Sequence, residues 1–438
     1  MNSKLISKEN NKAIFNVEVP YDRFEKAVQE AYLKNRKGFS MPGFRKGRVP
    51  RKIIEMNYGE GIFFEEAINI LLPEVYGKSV EELDLFPVSN PEIDIEKLEK
   101  GSDVVFKFEV DVKPEITLGD YSNLKAEITE FKVKEENVEN VINNALESNA
   151  RLVTVEDRKT ENGDIVNIDF VGKVDGEKFE GGEAKGFELT LGSDTFIPGF
   201  EPQLVGKEVG EELEVKVTFP EDYHEVALAG KETVFEVKIN GIQEKIKPEL
   251  DDEFVKDVSE FDTVEEYKNN IKAELEEQFA TRTKAEKENK AIEALIEATE
   301  MDIPESMFEN EVEEQYNQFA QRIQSMGLTL DQYFEITGAN EETAKEELRA
   351  GSELKVKADL VIEALAKAED MSVTEEEIDE ELGKLADQYD PNNKEKFVEN
   401  MKKGDLGFIE ENIKRIKAVD KLVDMVEFEI KAEEKDAE

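Results

Sequence analysis

Residues 34–52 read KNRKGFSMPGFRKGRVPRK. The stretch holds eight basic side chains, Lys34, Arg36, Lys37, Arg45, Lys46, Arg48, Arg51 and Lys52, and no acidic one. Gly38, Pro42, Gly43, Gly47 and Pro50 interrupt any regular element, so the stretch reads as a loop. Met41 and Phe44 put apolar surface at its tip. The whole chain carries a formal net charge of -48. Composition alone leaves two readings: a solvated charge run, or a basic loop that holds phosphates by charge while a ring presses on a partner.

The island also sits in a region unlike the rest. Residues 1–112 contain 17 Lys/Arg and 20 Asp/Glu, a net of -3, which leaves 40 and 85, a net of -45, for residues 113–438. Ala13 to Val19 largely alternates like a strand and stops at Pro20. Tyr21 to Tyr32 has helical spacing, with Phe24, Val28, Ala31 and Tyr32 on one side, and Ile53 to Tyr76 reads as more helix. Val104 to Val112 alternates again before Pro114. That is an α+β pattern for 1–112.

Beyond it, residues 113–149 read as a strand, Leu124 to Phe131, then a helix, Val138 to Leu146, and form a linker expected to pack with the C-terminal region. Residues 150–245 contain 12 Gly, and short strand-like runs (Ile165 to Val171, Phe187 to Leu191, Leu213 to Phe219, Thr233 to Ile239) alternate with Gly turns. The spacing predicts a small antiparallel β domain. Residues 246–438 hold only 6 Gly and 3 Pro, and helical periodicity dominates. Phe308, Val312, Tyr316, Phe319, Ile323 and Met326 make one stripe after Pro304, and Thr374 with Glu377 makes a capping box. The charged tail from Lys431 is expected to fray. The fold class is therefore multidomain α+β, with an α+β domain, an antiparallel β domain and an all-α C-terminal domain. A chain of 438 residues suits that count at roughly 150 residues per domain.

Cysteine is absent and His224 is the lone histidine, which excludes disulfides, thiolate catalysis and histidine-pair metal sites. No metal and no cofactor is expected. No stretch approaches the ~20 apolar residues of a membrane helix, and no apolar run suited to a signal peptide follows Met1. The expectation is a cytoplasmic protein with no membrane partner.

Two resemblances sharpen this. Gly43-Phe44-Arg45-Lys46-Gly47-Arg48-Val49-Pro50 is similar to the GFRxGxxP signature loop of bacterial trigger factors, ribosome-docked chaperones that carry an embedded prolyl isomerase domain. The resemblance implies docking beside the exit tunnel of the large ribosomal subunit, on a ribosomal protein and nearby RNA. Phe44, Arg45 and Lys46 would be the core contacts, with Gly43, Gly47, Arg48 and Pro50 completing the motif. Residues 163–245 resemble FKBP-type prolyl isomerases, through Val166 to Phe170, Gly172 to Gly176, Phe179, Gly186 to Gly192, Ile197-Pro198-Gly199-Phe200, Gly206 to Glu211, Phe219 to Tyr223 and Val234 to Ile239. That likeness implies a proline pocket of Phe170, Phe179, Phe187, Phe196, Ile197, Phe200 and Phe235, with Tyr223 donating a hydrogen bond to the substrate carbonyl. Glu180 stands where the family usually has Asp, and Phe200 where it usually has Trp. His224 reads as a structural loop residue, since rotation about a C–N bond needs no proton transfer.

For residues 246–438 the trigger-factor likeness implies a cradle for nascent and unfolded polypeptides, with the Phe308 to Met326 stripe lining part of it. Taken by itself, such a stripe reads equally as helix core. A homodimer off the ribosome is a further expectation. The rival reading is a stand-alone prolyl isomerase whose helical region serves dimerisation.

Overall fold

The computed structural model describes residues 1–431 except Lys100, Glu130, Glu156, Asp175, Asp222, His224, Val226 and Ala227, and for Glu180 the backbone alone. His224 and the tail beyond Lys431 thus lie outside the described residues. The chain forms two compact units, one made of 1–130 together with 284–438, the other of 131–283.

The first unit opens with a four-stranded antiparallel sheet. Its strands are β1 (Asn2–Glu9), β2 (Lys12–Val19), β3 (Glu92–Lys97) and β4 (Val104–Asp111), in the order β1-β2-β4-β3. Asn10 and Asn11, with φ of 50° and 57°, form the two-residue turn between β1 and β2; both adopt the left-handed conformation that suits the strands' twist. Alternation puts Ala13, Phe15, Val17 and Val19 of β2 and Val104, Phe106, Phe108 and Val110 of β4 on one buried face. Phe15 lies opposite Phe108, ring centroids 5.1 Å apart. Helices α1 (Tyr21–Asn35) and α3 (Phe64–Glu82) share this core through Phe24, Ala27, Val28 and Ala31 and through Ala67, Leu71 and Val75. The single helix expected over Ile53 to Tyr76 is broken. Helix α2 (Arg51–Tyr58) ends at Gly59, whose φ of 97° no right-handed helix accommodates, and a 3₁₀ turn (Glu60–Phe63) leads into α3. The break buries Phe63. Strand β5 (Lys125–Thr129) closes this part of the unit.

The second unit begins with α4 (Glu135–Ser148) and centres on an antiparallel sheet. Strands β6 (Arg151–Val155), β7 (Ile165–Val174), β8 (Glu177–Thr190) and β10 (Glu232–Ile246) run in the order β6-β10-β7-β8, and β9 (Glu212–Thr218) also pairs with β10. Val166, Ile168 and Phe170 from β7 face inward with Val215 of β9 and Phe235, Val237 and Ile239 of β10. The short helix α5 (Glu201–Leu204) covers that face with Leu204. Helix α6 (Asp252–Val258) follows, capped by the Asp251 carboxylate accepting from Phe254 N–H at 2.8 Å. The long α7 (Val264–Glu297) belongs to this unit up to Thr283 and to the first unit from Lys284 on.

The rest of the first unit is helical: α8 (Glu305–Ser325), α9 (Leu330–Thr337), α10 (Glu341–Ala368), α11 (Glu375–Tyr389), α12 (Lys394–Met401) and α13 (Gly407–Met425). The capping box opens α11: Thr374 Oγ1 accepts from Glu377 N–H, and Thr374 N–H donates to the Glu377 carboxylate at 2.8 Å. Ala291 and Leu295 of α7, Val361, Ile362 and Leu365 of α10, and Ala418 and Leu422 of α13 form one buried core. Leu124 joins it, so the start of the linker is part of this core. A final strand, β11 (Glu427–Lys431), pairs in parallel with β5, matching Ala126 to Phe428 and Ile128 to Ile430. Within the same unit Asn310 donates to the Val88 carbonyl at 2.6 Å, Ser306 to the Asp111 carboxylate at 3.0 Å and Asn11 to the Asp302 carbonyl at 2.7 Å. Among the described residues no helix is long and apolar enough to cross a membrane.

Candidate functional site

The inner face of β7 and β10 and the loop before α5 bring aromatic rings together in the β domain. Phe170 is at the centre, with centroids 5.4 Å from Phe196, 5.8 Å from Phe187, 5.9 Å from Phe235 and 6.5 Å from Phe200. Phe196 and Phe200 lie 4.2 Å apart, and Phe200 meets Phe235 edge-on at 5.3 Å. Phe170, Phe200 and Phe235 are buried and make a floor; Phe179, Phe196, Ile197 and Tyr223 are half-buried, and Phe187 is exposed. The result is one contiguous cluster of rings, buried at Phe170, Phe200 and Phe235 and reaching the surface at Phe187. Tyr223 stacks on Phe219 at 4.7 Å, and Phe219 meets Phe179 at 6.0 Å. Glu180 lies on β8, and its side chain is outside what the structure describes. A separate cavity of about 520 Å³ lies between α8 and α10, but its lining is Glu309, Val312, Glu313, Glu341, Glu342, Lys345, Glu346 and Arg349. That lining contains no ring and suits a proline poorly.

The rings need room, and glycines supply it. A Cβ on Gly172 of β7 would come within 2.6 Å of the Phe235 ring and 2.7 Å of the Phe179 ring. A Cβ on Gly182 of β8 would come within 2.7 Å of Phe179 as well. Beneath the sheet edge, Asp164 is tied by a bidentate pair with Arg158 at 2.6 and 2.8 Å and accepts from Glu161 N–H at 2.7 Å. Burial pushes the Asp164 carboxyl up, yet Arg158 and that N–H outweigh it and hold it below the ordinary aspartate value.

The basic loop is anchored at its base and open at its tip. Val49 is fully buried, the Tyr32 hydroxyl donates to its carbonyl at 2.9 Å, and Phe39 packs edge-on against Phe63 and Tyr58, each 5.6 Å away. Gly43 and Gly47 take φ of 85° and 75°, and Gly47 N–H donates to the Phe39 carbonyl at 3.3 Å. Pro42 through Lys46, with Arg48, are exposed. Two of the eight basic residues are paired with carboxylates, Arg51 half-buried and Lys34 on the surface. Arg51 holds Glu25 through both its terminal nitrogens (2.7 and 3.1 Å) and Glu55 through Nε at 2.6 Å, and Lys34 pairs with Glu66. The positive charge available to a partner is therefore concentrated on Arg36, Lys37, Arg45, Lys46, Arg48 and Lys52.

The stripe on α8 divides. Val312, Tyr316 and Ile323 are buried, Phe308 and Phe319 are half-buried, and Met326 is exposed. Phe319 stacks edge-on with Tyr333 of α9 at 5.4 Å, and Lys345 of α10 sits over the Tyr316 ring at 4.8 Å. The middle of the stripe thus serves packing between helices.

Comparison with known proteins follows the same division. Residues 1–145 match the model for bacterial trigger factor protein, residues 263–424 the model for its C-terminus, and residues 156–240 the FKBP-type peptidyl-prolyl cis-trans isomerase model. The trigger factor of Finegoldia magna is 55% identical over 438 residues, the whole of both chains. The chain belongs to the bacterial trigger factor family. The trigger factor of Acetivibrio thermocellus is 45% identical, covering 96% of this chain and 98% of its own. A solved trigger factor chaperone, studied for promiscuous substrate recognition, aligns with 97% of this chain and 99% of its own at 26% identity and a TM-score of 0.48. Family membership makes the protein a ribosome-associated chaperone with an FKBP-type prolyl isomerase domain, in which the ring cluster occupies the isomerase fold. Three residues in that cluster's surroundings were given no role of their own by the sequence reading. Gly172 entered only as part of the isomerase likeness, and Gly182 and Glu201, the latter 4% exposed, were not singled out.

Proposed function

We propose that the ring cluster of the β domain forms the isomerase pocket, with Phe170, Phe179, Phe187, Phe196, Ile197, Phe200 and Phe235 as its walls and Tyr223 at its rim, and with Glu180 assigned to it by the isomerase resemblance alone. Amide resonance sets a rotation barrier of about 18–20 kcal/mol for the prolyl bond. A dry pocket that grips the pyrrolidine ring favours the twisted amide, which is less dipolar than the planar one and loses less on leaving water. The buried floor of Phe170, Phe200 and Phe235 supports this reading, because it removes water from one side of a bound ring.

In the same reading the exposed tip Gly43 to Arg48, with Pro50, docks on the large ribosomal subunit near the exit tunnel, against ribosomal protein and RNA. Residues 246–438, with 113–149, then hold nascent or unfolded chains in the cytoplasm, through the open parts of the helical surface such as Phe308, Phe319 and Met326. Residues 1–112 would act as the docking domain and 150–245 as the isomerase domain. What supports docking is an anchored loop that gathers exposed arginines and lysines in a chain of net charge -48. Contacts to phosphate make affinity fall with salt. Co-sedimentation with ribosomes tests it: Phe44, Arg45 and Lys46 changed together to Ala should abolish binding at moderate salt. Unaltered co-sedimentation of that variant overturns the docking assignment.

A further inference from the structure

One buried carboxylate has no place in the chemistry above. Glu201 is the first residue of α5, directly after the pocket floor residue Phe200, and is 4% exposed. A buried carboxylate is costly unless its oxygens are satisfied. Here they accept from Gly192 N–H at 2.7 Å, from Asp194 N–H and Phe196 N–H, both at 3.2 Å, and from the Ser193 hydroxyl at 3.3 Å. Three alternate backbone amides of a five-residue loop therefore converge on one side chain. The loop is shaped for this. Gly192 and Asp194 take φ of 87° and 53°, and a Cβ on Gly192 would lie 2.3 Å from the Asn162 side-chain oxygen, so only glycine fits there. The last residue of the loop is Phe196, whose ring touches Phe170, Phe187, Phe200 and Phe235.

We infer that Glu201 is a positioning residue for the isomerase: its carboxylate locks the 192–196 loop so that Phe196 and Ile197 stand as a pocket wall before substrate arrives. This rests on the pocket reading above. Glu201 itself is buried below the rings and touches no substrate. Without it the loop samples other conformations, and only the fraction with the wall in place binds proline. Apparent affinity then falls by that fraction while the step on the bound substrate is little changed.

The test uses full-length protein and a short unstructured peptide with a single Phe-Pro bond, its cis and trans signals followed by exchange NMR over a range of peptide concentrations. Glu201→Gln keeps the shape and one acceptor oxygen but loses the charge. It should raise KM about 5- to 10-fold with kcat within about twofold, and hydrogen exchange at the Gly192, Asp194 and Phe196 amides should speed up while β7 and β10 amides stay protected. Glu201→Asp, too short to reach all four donors, should behave like Glu201→Gln or worse. Unchanged KM in Glu201→Gln with faster loop exchange overturns the inference, as does an equal loss of protection throughout the sheet, which marks a purely structural role. Wild-type protein lacking isomerase activity would instead sink the pocket reading itself.

Discussion

Placing a methyl group on Gly172 probes the packing of the ring cluster. The added Cβ would stand 2.6 Å from a Phe235 ring carbon and 2.7 Å from a Phe179 ring carbon, against roughly 3.5–4.0 Å for relaxed carbon contacts. One or both rings must therefore move by about 1 Å. Phe235 is 2% exposed and wedged among Phe170, Phe196 and Phe200, so it has nowhere to go. Overpacking of this kind costs about 1–3 kcal/mol. Gly182→Ala presses first on Phe179, which is half-buried and has more room to shift than Phe235. It should cost under about 1 kcal/mol, within the usual range for tolerated changes, yet displace a pocket wall. Hydrogen exchange of β7 and β10 amides in the full-length protein reads the domain's own opening free energy. Gly172→Ala should accelerate it about 5- to 150-fold, the equivalent of 1–3 kcal/mol, and Gly182→Ala by less than about 5-fold. Both should lower isomerase efficiency. If Gly172→Ala leaves exchange and activity at wild-type levels, the rings are not packed as described and the pocket argument fails with them.

Three further outcomes are expected. The folded-state acidity of Asp164 is depressed, so the Arg158 pair contributes stability above the unfolded carboxyl value near pH 4 and loses it as pH falls through the folded value; wild type and Arg158→Ala should differ in β-domain exchange at pH 7 and converge in acid, and a constant difference would refute the linkage. Gly119→Ala would set a Cβ 1.8 Å from the Ala298 carbonyl oxygen, a backbone atom that cannot yield cheaply, so amides of α10 and α13 should lose protection while those of β7 do not. A variant lacking 150–245 should still suppress aggregation of an unfolded protein that has no proline; if it is folded and inert while the isomerase domain alone protects, client binding resides in the β domain.

The β domain was legible because its strands alternate and are set off by glycine, and its ring cluster because six of the seven residues expected there are phenylalanines. Residues whose role depends on distant partners were not. Glu201 is one acid among 105 Asp/Glu, and only the folded loop reveals four donors aimed at it. Strand β1 is a polar edge strand without apolar alternation, and edge strand β3 alternates only through Ile93 and Ile95, both exposed, so their pairing follows from β2 and β4. The helix break at Gly59 was hidden by apolar residues that keep helical spacing across it. The buried middle of the α8 stripe illustrates the reverse: a true periodicity does not say whether the face meets a client or a neighbouring helix.

The pairing of β5 with β11 has a consequence for how the chaperone itself is made. Synthesis proceeds from Met1, and the sheet of β1 to β4 with its helices lies wholly within the first 111 residues, so it can form while the chain is still being extended. The β domain, contained within 131–283, can follow as a second self-sufficient unit. The helical core cannot, because Leu124 and β5 must wait for α13 and β11, some 300 residues downstream, to emerge. For most of its own synthesis a newborn copy therefore carries a finished basic loop and an unfinished helical core, and the apolar residues of that core are themselves nascent chain in need of shelter.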